Sequence, residues 1–151
     1  CADMARCYFV EEEEALALKL VSVAQDSLDA GIACVQRGRR LTDISAAIQE
    51  RVERDGFGVV RDFAGHGIGK RMHEDPEILN YGKAGAGPVL QVGMAFALEP
   101  MITAGDYQVY ITPDGWTVKT KDKSLAAHVE DTVIVTENGP KILTRLEKME
   151  I

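Results

Sequence analysis

Three short runs carry side chains able to hold a cation or move a proton. The first is Gly65-His66-Gly67-Ile68-Gly69, followed by His73 in His73-Glu74-Asp75-Pro76. Glycines on both sides of an imidazole let backbone or a ligand come close to the ring. The second is Phe96-Ala97-Leu98-Glu99-Pro100-Met101. It sets a glutamate at the end of an apolar strand, where a carboxylate is costly unless paired, hydrogen-bonded or bound to metal. Pro100 stops the ladder there and leaves the Glu99 side chain facing a cavity. The third is His128-Val129-Glu130-Asp131-Thr132-Val133-Ile134-Val135. Alternation puts Glu130, Thr132 and Ile134 on one face and Val129, Asp131, Val133 and Val135 on the other. Glu130 therefore stands mid-strand, where a solvated charge has no obvious place.

One imidazole and two glutamates on separate segments suit Zn, Mn, Fe or Co. Two ions held about 3.5–4 Å apart need bridging carboxylates, whose oxygen pairs span both and offset their repulsion. A third acid is then wanted, and Asp3 is the candidate, in a strand-like segment otherwise poor in charge. Taken singly, each residue also fits a plain role: a surface histidine, a strand-end glutamate reaching water, an acid near a chain end. Other catalytic patterns are absent. There is no G-x-S-x-G, C-x-x-C, H-E-x-x-H, G-x-G-x-x-G or Walker-type run.

The elements that must position these groups divide the chain in two. Residues 1–10 read as a strand ending in Tyr8, Phe9 and Val10. Glu11 to Glu14 suit the start of a helix, because acids favour the positive end of its dipole. Leu16, Leu20, Val23 and Ser27/Leu28 continue at helical spacing to about Gln36, with Gly38 as a stop. A second helix is expected from an N-cap at Thr42, with Ile44, Ile48 and Val52 on one face and an end near Asp55-Gly56. Val59 and Val60 suggest a short strand. Gly65 to Gly105 is rich in glycine and proline, with room for many loops and tight backbone approaches. Strands are expected at Ala95–Leu98, Val109–Thr112, Trp116–Lys119, Val129–Thr136 and Lys141–Leu143, with hairpin turns at Asp114-Gly115 and Asn138-Gly139. Two helices followed by a mainly antiparallel sheet make an α+β fold.

A length of 151 residues fits one domain, able to bury a core without staples. A net charge of −7 argues against a general nucleic-acid binder, which needs a basic surface. Cys1, Cys7 and Cys34 are few, odd in number and unpatterned, as in a reducing cytoplasmic setting. No run of 18 apolar residues is present, so no membrane-spanning helix is expected. The chain opens without Met inside a strand-like run, and upstream residues are expected to be absent.

At these motifs the sequence resembles the bacterial type I methionine aminopeptidases, within the wider creatinase/prolidase-like pita-bread family. The matching runs are Gly65–Gly69, His73–Pro76, Phe96–Met101, Asp114-Gly115-Trp116-Thr117 and Glu130–Val133, and the resemblance covers essentially the whole chain. It implies a C-terminal part of a pita-bread domain, the last strand of the first half joined to the second half, as a single catalytic-domain fragment over residues 1–151. It implies removal of N-terminal methionine from nascent proteins by metal-activated water, with two divalent ions (Mn, Fe, Co or Zn). His66 would be a terminal metal ligand. Glu99 would be a ligand of the same ion and general base, while Glu130 and Asp3 would bridge. His73 would hydrogen-bond the scissile amide. Met72 and Trp116 would line the methionine pocket, Met72 standing where relatives often carry phenylalanine. The proline-specific relatives carry an arginine shortly before the last glutamate, where this chain has His128-Val129.

The family's first metal aspartate would fall before Cys1, so the resemblance implies an incomplete metal site in these residues alone. Two alternatives follow: a non-catalytic or split fragment acting as a binding module, and a proline-specific peptidase. Self-association or a complementary N-terminal segment is expected as a partner, with no membrane partner.

Overall fold

The computed structural model describes residues 1–10 and 14–145. They form helices α1 (Ala15–Ala33) and α2 (Leu41–Arg54), then ten strands. These are β1 (Gly58–Val59), β2 (Ala64–Gly67), β3 (Glu74–Leu79), β4 (Ala95–Leu98), β5 (Met101–Thr103), β6 (Val109–Ile111), β7 (Val118–Thr120), β8 (Ala126–His128), β9 (Asp131–Thr136) and β10 (Gly139–Ile142). Every pairing is antiparallel, in three sheets ordered β10-β9-β4-β2-β3, β1-β5-β8 and β6-β7. The expected α+β class is the observed one.

The helices pack as a pair and lie over the sheets. Ile44, Ile48 and Val52 recur on one face of α2 and are fully buried against Leu20, Val23, Ala24 and Leu28 of α1. Gly31 permits the close approach: a Cβ there would stand 2.8 Å from Ile48 Cγ1. Phe96, Leu98, Ile102, Val129, Val133 and Val135 complete the core from the sheets.

Several expected boundaries differ. Helix α1 starts after Glu14 and stops at Ala33 rather than Gln36, because Cys34 and Val35 N–H turn back to Gly31 and Ile32 carbonyls. The expected helix start at Glu11–Glu13 lies outside the described residues. Leu16 is half exposed although its spacing puts it with the inner residues. Thr42 is not the N-cap of α2, which is Arg40, whose N–H donates to the Asp43 carboxylate at 3.1 Å. The Thr42 hydroxyl instead ties down Ala86, donating to its carbonyl and accepting from its N–H.

Residues 1–10 are not a strand; they make one isolated bridge, Ala5 to Glu130. Side chains take the place of a ladder. The Thr132 hydroxyl accepts from Asp3 N–H and donates to Asp3 carbonyl, both at 2.8 Å. The glycine-rich stretch holds β2 and β3 rather than loops alone. Gly65 and Gly67 permit close strand contact, since added Cβ atoms would meet Ala97 O at 2.4 Å and Asp75 O at 2.2 Å. Pro76 is tolerated because β3 is an edge strand. The strand expected at Trp116–Lys119 begins at Val118, with Trp116 in the preceding turn. There the Asp114 carboxylate accepts from the Thr112 and Thr117 hydroxyls and the Trp116 and Thr117 N–H groups. These donors hold it well below the usual carboxylate range.

Two places in this topology matter for chemistry. Strand β4 ends at Leu98 in the five-stranded sheet, and β5 starts at Met101 in the three-stranded one. Strand β8 ends at His128 in the three-stranded sheet, and β9 starts at Asp131 in the five-stranded one. Glu99 and Glu130 sit at these two crossings, where a side chain is released from the sheet and points between layers.

Candidate metal centre

The two crossings meet beside β2. His66 pairs in register with Ala97 of β4, which brings its ring next to Glu99. His66 Nδ1 lies 2.9 Å from the Gly67 carbonyl. A carbonyl only accepts, so Nδ1 carries the proton and Nε2 presents a lone pair. That lone pair stands 3.6 Å from Glu99 Oε1. His128 Nε2 stands 3.4 Å from the other oxygen, Oε2. Glu99 thus reaches towards an imidazole with each oxygen.

Glu130 is 5% exposed, and its Oε1 is buried with no hydrogen-bond partner among the described residues. Burial, then the charges of Glu99 and Asp3, pushes its carboxyl up to about 7. Two overlapping donor groups result, Asp3/His66/Glu130 and Glu99/His128/Glu130. Within each, the donor atoms lie within 4.8 Å of one another. Imidazole nitrogen and carboxylate oxygen are the donors that divalent first-row ions prefer. An orphaned buried carboxylate oxygen beside two more acids and a ring lone pair is unfavourable without a cation. The residues therefore fit a metal centre, with Glu130 shared by both groups.

His73 lies over His66, ring centroids 4.4 Å apart and planes at 55°. Both rings, Glu99 and His128 line a cavity of about 500 Å³ with Val60, Phe63, Met101 and Val109 among its apolar walls. Met72 and Trp116 stand outside that lining. Met72 is exposed next to His73, and Trp116 is 88% exposed in the turn of the β6–β7 hairpin whose strands form one wall.

A cluster of three charges holds the centre from behind. Asp131 is fully buried on the core side of β9. Its carboxylate accepts from Arg6 at 2.5 Å, the Thr144 hydroxyl at 2.7 Å and Arg145 Nε at 2.8 Å. Arg6 also donates to the Ala5 and Glu130 carbonyls, so one guanidinium ties both sides of the Ala5–Glu130 bridge.

The structure thus brings together Asp3, His66, His73, Glu99 and Glu130, all singled out in the sequence. His128 was not, although its position two residues before Glu130 places both on one strand face, which is the signal that finds it. Asp131 was seen only as part of an apolar face. A carboxylate among valines is itself a sign of hidden partners.

Comparison with known proteins agrees with this geometry. Residues 1–137 match the family described as metallopeptidase family M24. The methionine aminopeptidase of Clostridium acetobutylicum is 52% identical over 145 residues, 96% of this chain and 58% of that protein. A crystal structure of methionine aminopeptidase from Rickettsia prowazekii superposes with a TM-score of 0.94 at 45% identity, over 95% of this chain and 58% of that one. The prolidase from Pyrococcus furiosus is more distant, with a TM-score of 0.73 at 26% identity over 97% of this chain and 38% of its own. The pita-bread architecture is common to all of them, and this chain spans little more than half the length of the methionine aminopeptidases it matches. A matching family model over most of its residues, and a donor set built at two sheet crossings, place this chain in the M24 metallopeptidase family.

Proposed function

We propose that residues 1–151 supply the metal-holding part of one catalytic domain of a cytoplasmic aminopeptidase that removes N-terminal methionine from new polypeptides. The observation that carries this reading is the pair of donor groups sharing the buried, unpartnered Glu130 at the wall of an apolar cavity. The similarity to proteins named methionine aminopeptidase, at about half of all positions, favours methionine over X-Pro substrates. We assign Asp3, His66, Glu99 and Glu130 to two divalent ions, Mn, Fe, Co or Zn. Such ions, when bound, lower the pKa of water and polarise a carbonyl oxygen.

The chain's own residues would do the rest. Glu99 lies at the cavity wall with each oxygen near an imidazole, placed to accept a proton from the attacking water and return it to the leaving amine. His73, exposed at the cavity mouth, would donate a hydrogen bond to the scissile amide as charge develops there. Val60, Phe63, Met101 and Val109 exclude water and suit an unbranched thioether side chain. Met72 and Trp116, both exposed, would line part of the methionine pocket. Tyr8, Phe9 and Val10 are also exposed, which supports self-association or pairing with a complementary segment.

The test is methionine release from a Met-Ala-Ser peptide with added Mn(II) or Co(II), beside an X-Pro peptide, with and without a separately made segment of the upstream sequence of a relative. Metal-dependent release from the methionine peptide is expected. Cleavage of the X-Pro peptide alone would shift the assignment to prolidase-type specificity. Metal binding without any cleavage would leave a binding module.

A further inference from the structure

We propose that Asn80 is a positioning residue for Glu99: its side-chain amide holds the Glu99 backbone carbonyl at the sheet crossing and so fixes where the Glu99 carboxylate stands in the cavity. The inference rests on the reading of Glu99 as a metal ligand and proton acceptor, and it holds whichever peptide is cleaved.

Asn80 follows directly on β3 and shares its inward face with Ile78. Both are 1% exposed. An aliphatic side chain would suit that position, and a buried amide is costly there unless it is hydrogen-bonded. Asn80 meets half of that need. One polar atom of its amide lies 3.0 Å from the Glu99 carbonyl oxygen. That oxygen only accepts, so the atom facing it is Nδ2, which donates. Oδ1 is buried with no partner among the described residues. An amide kept for packing alone would have no reason to carry that orphaned oxygen; the bond to Glu99 supplies one.

The backbone explains why Glu99 needs a side chain here. The next two carbonyls of the crossing, Pro100 and Met101, accept from the N–H groups of Val129 at 3.4 Å and Val60 at 3.0 Å. The Glu99 carbonyl lies past the end of β4, and the group that meets it comes from beyond β3, which is separated from β4 by β2. Asn80 is itself held. The ring of its neighbour Tyr81 lies 5.2 Å from the Arg61 guanidinium, which stands 4.2 Å from the Tyr107 ring. Arg61 stands between the cavity-wall residues Val60 and Phe63 in sequence, so the same contacts steady that wall. The Glu99 carbonyl and side chain leave one Cα, so pinning the first restricts the second. The carboxylate then keeps Oε1 3.6 Å from His66 Nε2 and Oε2 3.4 Å from His128 Nε2. A shift of about 1 Å at such a group can cost about 100-fold in rate.

The test begins with the wild-type 151-residue chain, its asparagine side chains labelled with ¹⁵N and its carbonyls with ¹³C. There are two asparagines, Asn80 and the exposed Asn138, so the second is an internal control. The Asn80 amide should exchange slowly, couple through its hydrogen bond to the Glu99 carbonyl carbon, and shift when Zn(II) is added, while Asn138 does none of these. Asn80→Leu, which removes the donor, should bind Mn(II) at least about tenfold more weakly in calorimetry, even where its urea melt matches the wild type. Asn80→Gln, which keeps a donor, should lose less. An Asn80 amide that shows no coupling to Glu99 or ignores Zn(II), or a folded Asn80→Leu with wild-type Mn(II) affinity, would overturn the proposal and leave Asn80 a core amide. Failure of the wild-type chain to bind either ion would overturn the metal-centre reading beneath it as well. The wild-type spectrum decides the matter even if a variant does not fold.

Discussion

Glu130→Gln isolates the electrostatics of the centre. In the metal-free protein the Glu130 carboxyl is raised from 4.5 to about 7, by burial first and then by Glu99 and Asp3. A carboxyl raised on folding contributes stability that is fully present below its unfolded value and is lost as pH climbs through its folded value. The window therefore runs from about pH 4.5 to about pH 7. At roughly 1.4 kcal/mol per pH unit, the loss has an upper bound of about 3 kcal/mol at pH 8.5. Glutamine keeps the shape and carries no charge. In EDTA, urea and thermal melts at pH 5 and pH 8.5 should show the variant gaining about 2–3 kcal/mol on the wild type between the two, or about 5–10 °C in thermal midpoint. Added Mn(II) should reverse the order at pH 8.5, because the ion stabilises only a chain that retains the shared carboxylate. Parallel pH profiles for the two proteins would refute the claim that Glu130 is a buried charge waiting for a cation.

Three further outcomes follow from other parts of the structure. Metal affinity should fall about tenfold per pH unit below about 7, as the ion displaces the Glu130 proton; calorimetry from pH 5.5 to 8 reads the slope. Asp131→Asn takes the charge from a buried carboxylate that accepts from the partly exposed Arg6 and Arg145, and should lower stability by about 1–3 kcal/mol in urea melts. Gly65→Ala would push a methyl to 2.4 Å from the Ala97 carbonyl, prying β2 from β4; loss of amide-exchange protection at His66 and Ala97 is the readout.

How much of this was legible depends on the range of the interactions involved. The inner face of α2, with Ile44, Ile48 and Val52, is a local pattern, and its burial is as its spacing predicts. Strand β4 has its expected bounds, because Ala95–Leu98 is apolar and ends at a proline. The hairpin turns at Gly115 and Gly139 both have positive φ, as their Asp-Gly and Asn-Gly pairs demand. Strands β2 and β3 were hidden because their glycines and proline look like loop residues until the facing strands are known. Residues 1–10 look like a strand, yet Thr132 and Arg6 satisfy their backbone through side chains.

The site divides in the same way. Glu99 and Glu130 were visible as carboxylates in apolar runs. That each lies where the chain changes sheets was not, since sheet membership is decided by distant partners. His128 was missed because its neighbour across the cavity is 29 positions away in sequence, at Glu99.

The central claim is that this fold holds two divalent ions around Glu130. Crystals equilibrated with Mn(II), with diffraction measured at the manganese absorption edge, test it directly. The account predicts two anomalous peaks, each about 2.0–2.4 Å from a Glu130 oxygen, one beside His66 and Glu99 and the other on the Asp3 side. Crystals that bind manganese elsewhere and show no peak within ligand distance of Glu130 would contradict it.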